Sequence, residues 1–468
     1  MPIPRIATVS VAALAALTLA ACQGGPSPDP TSSEPASGPS LRMLVDGTPA
    51  EVDVLQTQVD AWSETSGSDV RIVLASDLEQ QLAESFANAN PPDVFALPTT
   101  SLERYEGYLE PYGRFADAGD IVPSLLDVVS DGSELQCVPR SADATTLAIS
   151  EQAWADAGLT DADVPTTWEQ LETIAGALTT DDAAGLAIDP DAEHLGALLA
   201  QAGGALVDES GAVADSPENA SALDLAVRMH DAGALAWPSD LGASSAAAAF
   251  ATGEAAMAYV DLGDLLAAEA AAPAPSETPD PTSSDEPERI EPTETLDASD
   301  APESEGVDES ADPSASPDAS ASTDSAPDAA ALLDGVRLVP LPAGPANAAA
   351  FASSSCWAIP ADTRTGDEAR DLIAFLTQAG QQVELADATG TVPVTTTAGA
   401  TFAEQHPERA AVVAAVAGGA DMATVLGPAE ATDALDETLA TLASAEPGEA
   451  DVAALLADLQ TRLEQQLE

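Results

Sequence analysis

The chain has 468 residues and a formal net charge of −67, with 80 acidic residues against 13 basic ones, every one of them arginine. Such a surface repels nucleic-acid phosphates and anionic lipid headgroups, which excludes both as electrostatic partners. Apolar residues reach 45% although aromatics are only 3%, so the length suits two ordinary domains, or one large two-lobed one, around alanine-rich cores.

Residues 1–22 run MPIPRIATVSVAALAALTLAAC. A short start with Arg5 leads into an apolar stretch from Ile6 to Ala21, shorter than the ~20 residues of a comfortable membrane span. It reads as an export signal. Its ending, Leu19-Ala20-Ala21-Cys22, resembles the bacterial lipoprotein box, which implies cleavage before Cys22 and lipid on its thiol. Residues 23–40 (QGGPSPDPTSSEPASGPS) lack apolar periodicity and form a flexible tether. The expected location is therefore the outer face of the cell membrane, by lipid anchor.

Globular texture begins at Leu41. Val52, Leu55, Val59 and Trp62 have helical spacing, Gly67 ends that helix, and Val70, Ile72 and Leu74 alternate as a strand. A second helix runs from about Leu78 to Asn88. Asn90-Pro91-Pro92-Asp93 then turns into the apolar run Val94 to Leu97. Continued alternation of this kind predicts an α/β fold with mostly parallel sheets flanked by helices.

Residues 273–327 differ in kind, because proline, serine and acids leave too few apolar groups to offset the entropy of ordering. The expectation is a disordered acidic insert over 268–331 that interrupts a domain, with its two ends close together on the surface. Helical texture returns from Glu368, with apolar spacings at Leu372, Ile373 and Phe375-Leu376, at Leu435, Leu439 and Leu442, and at Val452 to Leu463.

Cys22, Cys137 and Cys356 are the three cysteines. With Cys22 lipidated, two remain in an oxidising compartment, and a Cys137–Cys356 disulfide is the simple inference, two buried free thiols being the alternative.

An ordered series of phrases resembles the extracellular solute-binding proteins of bacterial ABC importers, the family that includes maltose-binding protein. These are Asn90-Pro91-Pro92-Asp93-Val94, Gly132 to Pro139, Pro165-Thr166-Thr167-Trp168-Glu169-Gln170-Leu171, Gly203-Gly204-Ala205-Leu206, Ala249 to Met257, Val339-Pro340-Leu341-Pro342, Trp357-Ala358-Ile359 and Thr391-Val392-Pro393-Val394. The resemblance covers about 41–267 and 332–468. It implies a type II periplasmic-binding-protein fold, with lobe one at 41–141 plus 332–366, lobe two at 142–267 plus 367–468, and hinge crossings between them. It places Cys137 and Cys356 in the same lobe. It also implies a monomer that captures a small solute, a carbohydrate first of all, and delivers it to permease subunits in the membrane, with no cofactor. The alternatives are a different polar or cationic solute, or a surface or sensor lipoprotein that no longer transports.

Ligand candidates on this pattern are Thr99 and Thr100 after a strand end, Asp143 just past a crossing, Asp261, and Trp357. The family usually has a stacking tryptophan soon after the phrase ending at Met257; here the text is Ala258-Tyr259-Val260-Asp261, and no aromatic follows Phe402. No enzyme is expected: His194, His230 and His406 are scattered, and there is no Gly-x-Ser-x-Gly elbow, Gly-rich phosphate loop or Cys-x-x-Cys. Asp189-Pro190-Asp191-Ala192-Glu193-His194 offers four potential metal ligands in six residues, but a solvated loop is the expectation and no metal site is assigned.

Overall fold

The structure, a computed structural model, describes residues 39–112, 118–132, 134–272, 329–420 and 422–466. The signal, Cys22, nearly all of the tether and the body of the acidic insert lie outside the described residues.

Local signals set the first elements. Thr48 accepts a hydrogen bond from the Glu51 amide at 3.3 Å and caps the helix Pro49–Ser66, which Gly67 ends in the left-handed region (φ 74°). Leu55, Val59 and Trp62 face inward from this helix. Asp77 caps the next helix, Leu78–Ala87.

Ten strands form two five-stranded sheets. They are β1 (Ser40–Val45), β2 (Asp69–Leu74), β3 (Val94–Pro98), β4 (Val138–Ala144), β5 (Thr146–Ser150), β6 (Leu186–Ala187), β7 (Leu235–Ala236), β8 (Met257–Val260), β9 (Val336–Val339) and β10 (Ala352–Ala358). The first sheet has the order β2-β1-β3-β10-β4 and the second β7-β6-β8-β5-β9. In each, one strand is reversed against its neighbours, β10 in the first and β5 in the second, so both sheets are mostly parallel.

The sheets are joined where the chain passes between them. Only Thr145 separates β4 from β5, so one extended run serves both sheets. The stretch from β9 to β10 returns to the first sheet, and a third passage lies near Ala420, which bridges Phe351. Helix Leu262–Ala271 and the short helix Ala329–Leu332 pack together, which brings the two flanks of the insert close, as expected.

Two segments lie elsewhere than the expected lobe boundaries. β9 pairs with β5 in the second sheet, not in lobe one, because its backbone completes an edge there. Conversely, helices Gly366–Leu376 and Ala379–Ala388 pack on Pro49–Ser66 of the first lobe. Trp62 Nε1 donates to Asp371 Oδ2 at 3.2 Å and Gln58 Nε2 donates to the Gln381 carbonyl at 3.0 Å. Only from about Met422 does the C-terminal region join the second lobe, where helix Val452–Gln466 packs on Ala429–Ala443 and on Pro217–Asp231.

Candidate functional site

β3 is buried over Val94–Leu97 and ends in a 3-10 turn, Thr99–Ser101, at the edge of the space between the lobes. The Thr99 hydroxyl donates to the Ser354 carbonyl at 3.0 Å, which pins this turn to β10. Thr100 caps no helix; with Thr99 it borders a cavity of about 440 Å³. Other hydrogen-bonding groups on its wall are Ser130 and Gln136 from the first lobe and Ser353 from β10. The second lobe contributes Glu193, Met422 and Pro428. A void of this size walled by both lobes falls in the usual range of small-molecule sites.

Behind Glu193 lies a buried polar centre at the crossing. Asp143, near the end of β4, is 8% exposed, and its carboxylate accepts from the Ala144 amide at 2.8 Å and the Gly263 amide at 3.1 Å. Burial pushes its carboxyl up to about 7 against these hydrogen bonds. Asp261 follows β8 and is raised to about 6, by burial first and then by the charge of Asp143. Glu193 is raised to about 8, again by burial first and then by Asp261. His194 is buried, and its Nδ1 lies 2.9 Å from Asp191 Oδ1. Burial lowers the imidazole, but the hydrogen bond and charge of Asp191, joined by Asp261 and Glu193, outweigh it and carry His194 to about 10. An imidazole held protonated in this way cannot serve as a general base at neutral pH.

The backbone makes room for this centre. Gly390 stands so close to Gly263 that a Cβ there would collide with the Gly263 backbone.

Thr99 and Thr100 thus stand on the cavity wall. Asp143 and Asp261 sit together at the crossing, behind the wall rather than on it. Trp357 is 1% exposed in the core, where its ring lies 4.6 Å from the guanidinium carbon of Arg140, so it is not a cleft residue. It is buried because β10 is the fourth strand of five, covered on both faces. Cys137 and Cys356 form a disulfide, with Cα atoms 5.7 Å apart.

Glu193 was missed among the site candidates. The run Asp189 to His194 is not a solvated loop: His194 is buried, Asp189 accepts from the Ala246 amide at 3.0 Å, and Glu193 reaches the cavity. The available signal was position, since the run leads directly into the helix Gly196–Ala202, which is buried on every side. Among the described residues no group of three or more His, Cys, Asp or Glu side chains is arranged to hold a metal ion.

Two lobes, paired mostly parallel sheets and a cavity at their crossing define a two-lobed binding protein. The model for the family described as bacterial extracellular solute-binding protein matches residues 48–383, and the chain belongs to that family, whose members serve ABC importers. The sugar-binding protein MalE from Xanthomonas citri is similar in structure, with a TM-score of 0.69 at 17% identity, covering 92% of this chain and 97% of that one. So is the GacH receptor of Streptomyces glaucescens, determined unliganded and with acarbose (TM-score 0.67, 17% identity, 91% and 98% covered). UgpB from Mycobacterium tuberculosis, in complex with glycerophosphocholine, gives a TM-score of 0.67 at 19% identity, covering 92% and 99%. At these identities the likeness is one of fold. No curated protein sequence matches the chain.

Proposed function

We propose that this chain captures a small hydroxylated solute, of the carbohydrate class, between its lobes and presents it to an ABC permease as a monomer tethered through lipid on Cys22. The observation that carries this reading is the cavity of about 440 Å³ walled by both lobes, with Thr99, Thr100, Ser130, Gln136 and Ser353 placed to exchange hydrogen bonds with hydroxyl groups. Because the wall comes from two lobes joined by crossing strands, a solute that touches both stabilises the closed arrangement, a shape the permease can read. An open cavity favours capture over a purely structural surface role.

A thermal-shift screen of sugars, polyols, amino acids and polyamines tests the reading. A solute at 100 times its dissociation constant adds about 2.7 kcal/mol to stability. If no compound in the screen raises the melting temperature, the reading fails. For the anchor, Cys22→Ser is expected to release the protein into the medium and to abolish labelling by radioactive fatty acid. Retention of the label by that variant would refute lipidation at Cys22. Among the described residues no helix is long and apolar enough to cross a membrane.

A further inference from the structure

We infer that Asp143 is a positioning residue for solute capture: from the first lobe it caps a helix of the second, and so fixes how the two lobes stand to each other. This rests on the solute-capture reading above and assigns what holds the lobes in the arrangement that completes the cavity.

The helix Leu262–Ala271 follows β8 of the second sheet directly, and its first amides have no partners inside the helix. Asp261 stands at its N-cap position and is of a type that commonly satisfies them, yet its side chain makes no capping hydrogen bond. It turns instead to Glu193 and Thr145. The cap comes from a residue 120 positions away in the chain: the Gly263 amide donates to Asp143 Oδ2 at 3.1 Å, while Oδ1 takes the Ala144 amide at 2.8 Å. Asp143 belongs to β4 of the first sheet, where it lies opposite Ser353 of β10.

The first lobe meets the same helix start at a second point. The backbones of Ala142 on β4 and Val392 exchange hydrogen bonds at 2.8 and 3.2 Å, and just before Val392 the chain lays Gly390 against Gly263 with no room for a Cβ. One lobe therefore grips the start of this helix by side chain and by backbone, while the strand that feeds it is built into the other.

The cap is placed to respond to lobe movement. Thr145 alone separates β4 from β5, so Asp143 stands two residues from the crossing, roughly 7 Å along an extended strand. A lobe rotation of about 20° around the crossing carries its carboxyl by about 2 Å, enough to break a hydrogen bond. The cap is thus made in the arrangement seen here and lost in one rotated from it. It also stands between the two halves of the cavity wall. Ser353, its neighbour across the ladder, and Glu193, hydrogen-bonded to Asp261, both line the cavity. A solute that engages both groups favours the capped arrangement, and the cap raises the fraction of molecules ready to bind.

The test is the distance between spin labels in the two lobes, measured by pulsed electron paramagnetic resonance on the purified protein without added solute. The labels replace Gln56 in helix Pro49–Ser66 and Thr173 in helix Trp168–Leu178, both exposed (Gln56→Cys and Thr173→Cys). Asp143→Ala should shift or spread the distance by about 5 Å, the arc that about 20° sweeps at a lobe radius of about 15 Å. Asp143→Asn keeps an oxygen for the Gly263 amide and should restore most of the parent distribution. Gly390→Ala, which pushes on the same helix start, should shift it again. A purely structural Asp143 would lower the melting temperature of the alanine variant and leave the distance in place, and that result overturns the inference. Should Asp143→Ala not fold, Gly390→Ala decides by the same two outcomes. Any sugar or polyol found by the thermal-shift screen should bind Asp143→Ala about tenfold more weakly than the parent; equal affinity overturns the inference while solute capture stands. If the screen finds no solute, capture falls, and the label distances alone decide whether Asp143 positions the lobes.

Discussion

Asp143→Asn probes the buried acid at the crossing, and its effect on stability has a sign that changes with pH. Asp143 is 8% exposed, and burial, the largest influence, raises its carboxyl to about 7. In the unfolded chain an aspartate titrates near 3.9. The folded state therefore holds this proton more tightly than the unfolded state. Its contribution is fully present below about pH 4, is lost as pH rises to about 7, and is constant above that. About three units at 1.36 kcal/mol each set a ceiling of ~4 kcal/mol. Asparagine does not titrate, and it offers one oxygen where the carboxylate serves two amides, those of Ala144 and Gly263. One lost hydrogen bond costs about 1–2 kcal/mol. The variant should thus be weaker than the parent by at most about 1 kcal/mol near pH 4.5, where about 1 kcal/mol of the linkage is already lost, and stronger by about 2 kcal/mol near pH 8. Urea unfolding of both proteins at the two pH values measures this. A difference between them that is the same at both would refute the argument.

His194 adds a second slope of the same sign: a base raised to about 10 contributes stability fully present below about 6.5 and lost as pH rises toward 10. Asp191→Asn should flatten that alkaline fall, as followed by melting temperature against pH. Removing the Cys137–Cys356 disulfide, whose cysteines are 219 residues apart in the chain, frees the largest loop in the protein. The chain-entropy relation caps the loss near ~5 kcal/mol, and about 2–4 kcal/mol is expected on calorimetry of the Cys137→Ala/Cys356→Ala variant; an unchanged melting temperature would count against the bond. Glu51→Gln leaves the buried Arg140 with only Asp46, at 3.5 Å, and should cost about 2–4 kcal/mol in urea unfolding. Gly390→Ala forces the backbone away from Gly263 and should cost about 1–3 kcal/mol, together with a measurable change in solute affinity because the crossing shifts.

Much of the fold was legible because its signals are local. Thr48 and Gly67 bound the first helix, and Thr167 caps the helix Trp168–Leu178, through geometry that a few neighbouring residues decide. The indole beneath that cap is buried, and Trp168 Nε1 donates to Gln201 Oε1 at 2.7 Å. Lobe membership was harder. Nothing local in Val336–Val339 says which sheet edge it completes, and the apolar faces of Gly366–Leu376 and Ala379–Ala388 would suit either lobe. The cleft was legible where a strand end delivers its loop, at Thr99 and Thr100. It failed at Trp357, because an aromatic in a strand looks the same in sequence whether it faces ligand or core.

By itself, the sequence determined the α/β alternation, the ordered family phrases and a cysteine count in which Cys137 and Cys356 were the pair expected to join. All of these rest on composition, short-range periodicity or counting. Only the tertiary structure decided that Glu193 reaches the cavity, that Asp143, Asp261 and His194 crowd behind it, and that the lobes exchange segments near the C-terminus. Each of those depends on contacts between residues far apart in the chain. Burial in turn sets the charge of a carboxyl, since the same acid that is ionised in water is kept protonated where water is excluded and its neighbours are acids.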